Sequence, residues 1–195
     1  MDKAVAETTV KLLFLGAPLL PTALAQGLCI KYDWLKLLKE PLDMGLCFRG
    51  RRLFGDNKTW RGLTLNVVFC ALGTLAQSWL LSRNYLPARL SLLDYETYGL
   101  LAGGLLGLGV TLGELPNSFL KRQMEIAPGK KKKGPWGVVF FLLDQVDLTL
   151  GAWFFLFWLV RPSLGLILWS LVLTLVLHLA VSVTGYALGM RKTLF

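Results

Sequence analysis

Long apolar runs alternate with short polar segments along almost the whole of this 195-residue chain. Each run is long enough to cross a bilayer as an α-helix, which requires about 20 apolar residues. Hydrophobic residues make up 54% of the chain, so little sequence remains for a separate soluble domain. The pattern predicts an all-α integral membrane protein, with one domain over residues 1–195 built as a bundle of five transmembrane helices. The predicted spans are 8–30, 62–82, 97–115, 136–160 and 163–188.

The first apolar run contains two prolines, Pro18 and Pro21, which should kink or break its helix. This run also resembles a secretory signal peptide, because Lys3 and Lys11 precede a short apolar stretch and the small residues around Ala23 to Ala25 imitate a cleavage site. The apolar stretch continues beyond that point and four more runs follow. We therefore favour a retained transmembrane segment.

The chain carries 21 Lys and Arg residues against 12 Asp and Glu, a net charge of +9. In a soluble protein this excess would suggest nucleic acid as a partner, but here most of the cations flank apolar runs. They are concentrated in 31–61, in 121–134 and at the C-terminus. The positive-inside rule places these segments in the cytoplasm and the N-terminus outside. The charge pattern thus indicates a topology and no nucleic-acid partner.

Metal centres built on cysteine and histidine receive no support from the sequence. The three cysteines, Cys29, Cys47 and Cys70, have no paired spacing, and His178 is the single histidine. A zinc site, a disulfide framework and a Ser-His-Asp arrangement are therefore all disfavoured.

The third run is rich in glycine, with Gly99, Gly103 and Gly107 spaced four residues apart. Small residues at this spacing allow neighbouring helices to approach closely, and we favour that interpretation. The alternative is that the glycines leave room for a ligand beside Glu114.

Ionisable residues occur where lipid would be expected, in the stretch from residue 113 to residue 151. Glu114, Ser118 and Lys121 or Arg122 fall on one face of a helix end. Asp144 and Asp147 share one face inside the next apolar run, and Asp144 lies about 14 Å along the helix from Pro135. Charges at this depth require a protein-lined or water-filled cavity and mark a functional site.

The residue types in this stretch indicate a chemistry. Asp144 and Asp147, joined by Glu114 from another helix, can hold Mg²⁺ through oxygen ligands, and magnesium usually arrives with substrate phosphates. Further cations are available to bind phosphate oxygens: Lys58, Arg61, Lys121 and Arg122. Acids for metal and bases for phosphate favour phosphoryl or nucleotidyl transfer. The alternative is a small ion- or proton-coupled transporter whose buried acids carry the ion, although the internal repeats common in transporters are not evident.

The polar segments resemble a known family, the CDP-archaeol synthases, which are integral membrane cytidylyltransferases related more distantly to the phosphatidate cytidylyltransferases. The resemblance runs through PLDMGLCFRGRRLFGDNKTWRG at 41–62, GELPNSFLKRQMEIAPG at 113–129 and GPWGVVFFLLDQVDLTLGA at 134–152. It includes a Ser-x-x-Lys-Arg motif followed by Asp-x-x-Asp, and a separate Lys-Thr-Trp-x-Gly motif. These motifs are Ser118, Lys121 and Arg122 with Asp144 and Asp147, and Lys58, Thr59, Trp60 and Gly62.

The resemblance implies an enzyme of the cell membrane, with its active site facing the cytoplasm, that transfers CMP from CTP to a membrane lipid phosphate. It implies catalytic roles for Lys121, Arg122, Asp144 and Asp147, with Mg²⁺ bound by both aspartates and Glu114. The expected substrate-binding residues are Asp56, Lys58, Thr59, Arg61, Asn117 and Ser118.

Three points stay open at this stage. The family's Gly-Asp-Leu motif is Gly113-Glu114-Leu115 in this chain, so the carboxylate is one methylene longer and its role as a direct metal ligand is uncertain. The sequence does not distinguish phosphatidic acid from its archaeal ether analogue as the acceptor. A homodimer is compatible with the sequence but not required by it.

Overall fold

The fold is a bundle of apolar helices in which a structured polar loop joins two neighbouring helices. A computed structural model describes residues 3–130 and 134–187 of the chain. The helices are α1 (Lys3–Gly16), α2 (Leu19–Lys31), α3 (Trp60–Ser82), α4 (Tyr95–Gln123), α5 (Pro135–Val160) and α6 (Leu164–Ala187), and a two-stranded hairpin, β1 (Cys47–Phe48) and β2 (Arg51–Arg52), lies between α2 and α3.

Helices of membrane-spanning length occur where the hydropathy pattern predicts them. Among the described residues, four helical stretches are long and apolar enough to cross a bilayer: Lys3–Lys31, Trp60–Ser82, Ala88–Gln123 and Pro135–Val160. The fifth predicted span corresponds to α6, in which the stretch Leu164–Ala180 is apolar. The helical membrane-protein prediction is therefore confirmed. Residue 188, the C-terminus and Lys131 to Lys133 of the basic loop lie outside the described residues, and the orientation of the termini stays a prediction.

Two helix boundaries have clear local causes. The first predicted span is broken as expected: α1 ends at Gly16, and α2 begins directly after Pro18, which serves as its N-cap residue. In contrast, α4 continues eight residues beyond the predicted end of its span at residue 115, through Pro116. The hydropathy falls there because the side chains become polar. The helix nevertheless continues, because this part of α4 packs against α5 and the polar loop.

Glycines set the close packing of α4 against its two neighbours. A Cβ atom on Gly107 would lie 2.4 Å from the Asn66 carbonyl oxygen of α3. On the other side, a Cβ on Gly151 of α5 would lie 2.2 Å from the Gly109 carbonyl oxygen and 2.5 Å from Gly113 Cα. Only glycine permits backbones to approach this closely. The packing interpretation of the glycine-rich run is confirmed, and it applies to both faces of α4.

The core lies where α1, α3, α4 and α5 meet, with Leu156 and Cys70 completely buried. Large apolar side chains elsewhere are exposed, for example Phe154 at 76% and Trp158 at 79% on α5. An outward apolar surface is expected of helices surrounded by lipid, whose chains are as apolar as the side chains.

The polar loop between α2 and α3 is organised by a short hairpin and a buried carboxylate. Its two-residue turn, Arg49-Gly50, has positive φ at both positions, 51° and 76°, as tight hairpin turns require. Asp43 is 2% exposed and accepts hydrogen bonds from the backbone N–H groups of Phe54 (2.9 Å), Gly55 (2.9 Å) and Gly45 (3.1 Å). The Arg52 guanidinium donates to the same carboxylate at 2.5 Å. Asp43 thus connects the beginning of the loop to its end.

This carboxylate should make the loop acid-sensitive. Burial alone would raise the pKa of Asp43, but the donors from Arg52, Gly55, Phe54 and Gly45 outweigh it and hold the pKa well below its ordinary value. A depressed folded-state pKa gives stability that is present above the unfolded value of about 3.9 and is lost as the pH falls below it. We expect hydrogen-exchange protection of the Phe54 and Gly55 amides at pH 7 and its loss on acidification.

The matching variant is Asp43→Asn, in which protection of these amides should fall by at least about tenfold at pH 7, since a hydrogen bond to a charged group contributes about 1.5–3 kcal/mol. The measurement is the hydrogen-exchange rate of each amide at each pH, divided by the intrinsic exchange rate at that pH. Glu40→Gln, at an exposed position of the same loop, is the control. If the Phe54 and Gly55 amides were equally protected in Asp43→Asn and in the native protein, Asp43 would not be what stabilises this part of the loop.

Candidate active site

A polar cavity of about 310 Å³ opens where the end of α4, the first half of α5 and the polar loop meet. Lys58 comes from the loop, five more predicted residues come from the last turns of α4, and both aspartates come from α5. The cavity reaches both aspartates, so the predicted access to them is present: Asp144 is exposed and Asp147 is partly buried. Its lining residues are Phe54, Asn57, Lys58, Glu114, Asn117, Ser118, Lys121, Arg122, Pro128, Gly129, Lys130, Asp144 and Asp147.

Asn117 holds the two aspartates side by side. Its Nδ2 atom donates to Asp144 Oδ1 at 2.6 Å and to Asp147 Oδ2 at 2.9 Å. Both acceptors are carboxylates, so the amide must present its NH₂ group to them. Asn117 is 6% exposed, and its Oδ1 atom is buried with no hydrogen-bond partner among the described residues. Because a buried acceptor is costly to leave unpaired, this oxygen is available to a ligand in the cavity.

Two ion pairs connect acids of the cavity to lysines. Lys121 Nζ donates to Asp144 Oδ1, and Lys58 Nζ donates to Glu114 Oε2. Burial lowers the pKa of the Lys58 ammonium, the Asp147 carboxylate opposes this effect, and the Lys121 cation adds to it. Acidic and basic side chains therefore lie next to each other in the cavity. Such an arrangement is suited to binding a charged ligand.

Arg122 supplies donors that no acceptor among the described residues uses. Its Nε and Nη1 atoms are buried without a hydrogen-bond partner in the part of the chain that the structure describes. The side chain lies against the loop, where a Cβ on Gly55 would be 3.4 Å from Arg122 Cδ and 3.2 Å from Pro128 Cγ. A guanidinium with free donors at a cavity wall is suited to binding phosphate oxygens.

The metal site expected from three carboxylates is not assembled as such. Within 3–130 and 134–187, no group of three or more His, Cys, Asp or Glu side chains is placed to hold a metal ion. Glu114 instead pairs with Lys58. Asp144 and Asp147 still fit magnesium, which is commonly held by one or two carboxylates together with substrate phosphates. A carboxylate has about four acceptor positions, so the donors from Asn117 and Lys121 do not saturate the pair.

Three predicted substrate-binding residues lie outside this cavity. Asp56, Thr59 and Arg61 line a neighbouring cavity of about 360 Å³ beside α2 and α3. Thr59 caps α3, its Oγ1 accepting from the Gly62 N–H at 3.2 Å. Arg61 is buried and donates to the Trp34 carbonyl at 3.0 Å, while Asp56 pairs with Arg52 at 2.9 Å. Each therefore has a local structural contact, and their role toward a substrate stays a prediction.

Some cavity residues were missed by sequence reasoning. Phe54 and Asn57 from the polar loop and Pro128 and Gly129 after α4 line the cavity but carry no chemistry that stands out in a sequence. Their closeness in the chain to Lys58 and Arg122 was the available signal. Asp43 was also missed, because a buried loop carboxylate looks like any other acid until its donors are known.

The chain is similar to known proteins over most of its length. The model of the CarS-like family, CDP-archaeol synthase, matches residues 33–195. The CDP-archaeol synthase of Methanoculleus marisnigri is 36% identical over 78% of this chain and 87% of that relative. The CDP-archaeol synthase of Halorubrum lacusprofundi is 34% identical, covering 78% and 82% respectively.

A solved structure of an intramembrane enzyme for archaeal membrane lipids biosynthesis is also similar. It gives a TM-score of 0.57 at 24% identity, over 88% of this chain and 92% of that chain. This likeness supports the fold alone, whereas the family match rests on sequence across the polar loop, the cavity residues and the helices. The chain belongs to the CDP-archaeol synthase family.

Proposed function

We propose that this protein is a cytidylyltransferase that transfers CMP from CTP to the phosphate of an archaeal ether lipid, releasing pyrophosphate and leaving a CDP-activated lipid. The observation that carries the proposal is the cavity itself. It brings two adjacent carboxylates together with Lys58, Lys121 and Arg122, at the polar end of membrane-spanning helices, and two Arg122 donors have no acceptor among the described residues. The relatives named CDP-archaeol synthase support the substrate class.

The reaction requires no covalent enzyme intermediate. An oxygen of the lipid phosphate attacks the α-phosphorus of CTP, forming a new P–O bond, and the bond between the α-phosphorus and the bridging oxygen breaks to release pyrophosphate. The attacking oxygen is already anionic, so no general base is needed for it. The protein's task is then to position the two substrates and to neutralise charge on the phosphates.

The charged residues of the predicted site share that task. Lys58, Lys121 and Arg122 bind phosphate oxygens of CTP and the lipid, and the pairing of both lysines with carboxylates orients them toward the cavity. Asp144 and Asp147 would hold Mg²⁺, which when bound neutralises phosphate charge and stabilises the leaving pyrophosphate. Asn117 keeps these two carboxylates adjacent, and its free Oδ1 accepts from the nucleotide or from water.

The cavity faces the cytoplasm of the cell membrane in this proposal. The polar loop and the end of α4 that form it belong to the two Lys- and Arg-rich segments that the positive-inside rule assigns to the cytoplasm. CTP is a cytoplasmic metabolite, while the lipid acceptor reaches the same cavity from the bilayer.

Label transfer from α-³²P CTP into extractable lipid tests the proposal. Purified protein would be given the ether-lipid phosphate or phosphatidic acid separately, with Mg²⁺ or with chelator. We expect chelator-sensitive label in the lipid phase, with the ether lipid as the better acceptor. Equal use of both lipids would refute the acceptor preference. No label with either lipid, in protein shown to be folded, would refute the cytidylyltransferase and favour ion transport, to be followed by ion-flux measurements.

A further inference from the structure

The polar loop supplies three side chains to the active-site cavity without a helix or long strand to hold them. Phe54, Asn57 and Lys58 line the cavity, and all three lie between β2 and the start of α3. A loop that places a charged side chain opposite Glu114 needs a fixed backbone, because an error of about 1 Å in a reacting group can cost two orders of magnitude in rate. The source of that rigidity is visible in the hydrogen bonds.

Asp43 fixes the beginning of this segment. Its side chain is fully buried, and its two oxygens accept from the backbone of Phe54 and Gly55 and from the Arg52 guanidinium. Burying a carboxylate is tolerated only when it is paired and hydrogen-bonded, and here both conditions are met. The structure thus commits a costly buried charge to holding the backbone three to four residues before Lys58.

The residues on the N-terminal side of Asp43 fix the end of the segment. The Leu42 N–H donates to the Lys58 carbonyl at 2.7 Å, and the Trp60 N–H donates to the Glu40 carbonyl at 3.0 Å. A bridge between Pro41 and Thr59 lies between these bonds. The backbone around Lys58 is therefore attached to residues 40–43 on both sides.

The loop is in turn docked on the end of α4, which carries the opposing cavity residues. Arg51 donates to the Gln123 carbonyl and pairs with Glu125 at 2.5 Å. The rings of Phe48 and Phe119 are 5.9 Å apart between centroids. A change in the loop backbone therefore alters the position of Lys58 relative to Glu114 and Asp147.

We propose that Asp43 is a positioning residue of the active site, which sets the location of Lys58 through the backbone of residues 54–58. Asp43 lies outside the cavity lining and touches no substrate. The inference rests on the proposed function, since it assigns Lys58 to the nucleotide phosphates.

A double-mutant cycle tests this assignment. Asp43→Asn, Lys58→Gln and the double variant would be compared with the native protein for kcat, for KM toward CTP and for CTP affinity by calorimetry. We expect each single variant to weaken CTP use by about tenfold or more, chiefly in KM. If Asp43 acts through Lys58, adding Asp43→Asn to Lys58→Gln should cost less than about twofold further, because coupled residues are not additive.

A merely structural Asp43 gives a different result. Asp43→Asn would then weaken CTP use by the same factor in the native protein and in the Lys58→Gln variant. Multiplicative effects of this kind would overturn the proposal. If Asp43→Asn does not fold, Arg52→Gln replaces it, because it weakens the same cluster at its partly exposed edge and leaves the three backbone donors in place. Glu40→Gln serves as the control for a charge change in the loop.

The same experiment separates this proposal from the proposed function. If the native protein transfers CMP and the effects of the two substitutions multiply, the positioning role of Asp43 is refuted but the proposed function is not. Native protein that binds CTP without transferring CMP would refute the cytidylyltransferase, and the cycle in CTP affinity would then decide the role of Asp43. Native protein that binds no CTP would overturn both.

Discussion

Asp144→Asn and Asp147→Asn are each expected to reduce CMP transfer by at least about a hundredfold, since changing even the residues that support metal ligands typically costs 10–100-fold. Each substitution preserves the shape of the side chain but removes the negative charge. The amide cannot replace the carboxylate as an acceptor from Asn117 and Lys121 and as a ligand for a hard cation at the same time. The loss should therefore appear in turnover rather than in folding.

The measurement is label transfer at saturating CTP, combined with Mn²⁺ binding by electron paramagnetic resonance as a readout that does not depend on turnover. Both variants should bind Mn²⁺ more weakly than the native protein in the presence of CTP. Glu96→Gln is the control, because it removes an exposed carboxylate at the other end of α4. If both aspartate variants turn over CTP and bind Mn²⁺ as the native protein does, the metal-site assignment is refuted.

Gly151→Ala and Gly113→Ala are expected to lower both stability and activity, because each adds an atom where two helix backbones are in contact. The new Cβ at position 151 would lie 2.2 Å from the Gly109 carbonyl oxygen, and that at position 113 would lie 2.6 Å from the Asp147 carbonyl oxygen. Backbone atoms cannot turn aside as a flexible side chain can, so α4 and α5 must separate. Overpacking of this kind costs about 1–3 kcal/mol.

The separation should matter more for catalysis than for folding. α4 carries Asn117 and Lys121, and α5 carries the two aspartates that they contact. Displacing one helix from the other by about 1 Å would lower activity by about a hundredfold. Activity per folded protein and thermal unfolding in detergent are the two measurements.

Gly104→Ala provides a matched control on the same helix. A Cβ at position 104 has no neighbouring atom within 4 Å, and alanine is the better helix former by about 1 kcal/mol. This variant should retain activity and unfold at the same or a higher temperature. If Gly104→Ala and Gly151→Ala behaved alike, close packing of α4 on α5 would not explain the role of these glycines.

The candidate site was predictable wherever its chemistry depends on spacing along one helix. Asp144 and Asp147 share a face because the residues are three apart, and the same reasoning places Ser118 with Lys121 or Arg122. Loop residues were less predictable. Thr59, Arg61 and Asp56 accompany Lys58 in the sequence, yet they lie at a neighbouring cavity because the backbone turns between Gly55 and Lys58.

The sequence by itself determined the class of protein, the positions of the helices, the break at Pro18 and the acids of α5, because hydropathy and helical periodicity are local properties of the chain. The tertiary structure alone decided which glycines face α3 or α5, that Glu114 pairs with Lys58, that Asn117 joins the two aspartates and that Asp43 anchors the loop. These contacts join residues that are distant in sequence. They depend on how each helix is rotated against its neighbours and on how the loop folds back, and no local pattern specifies either.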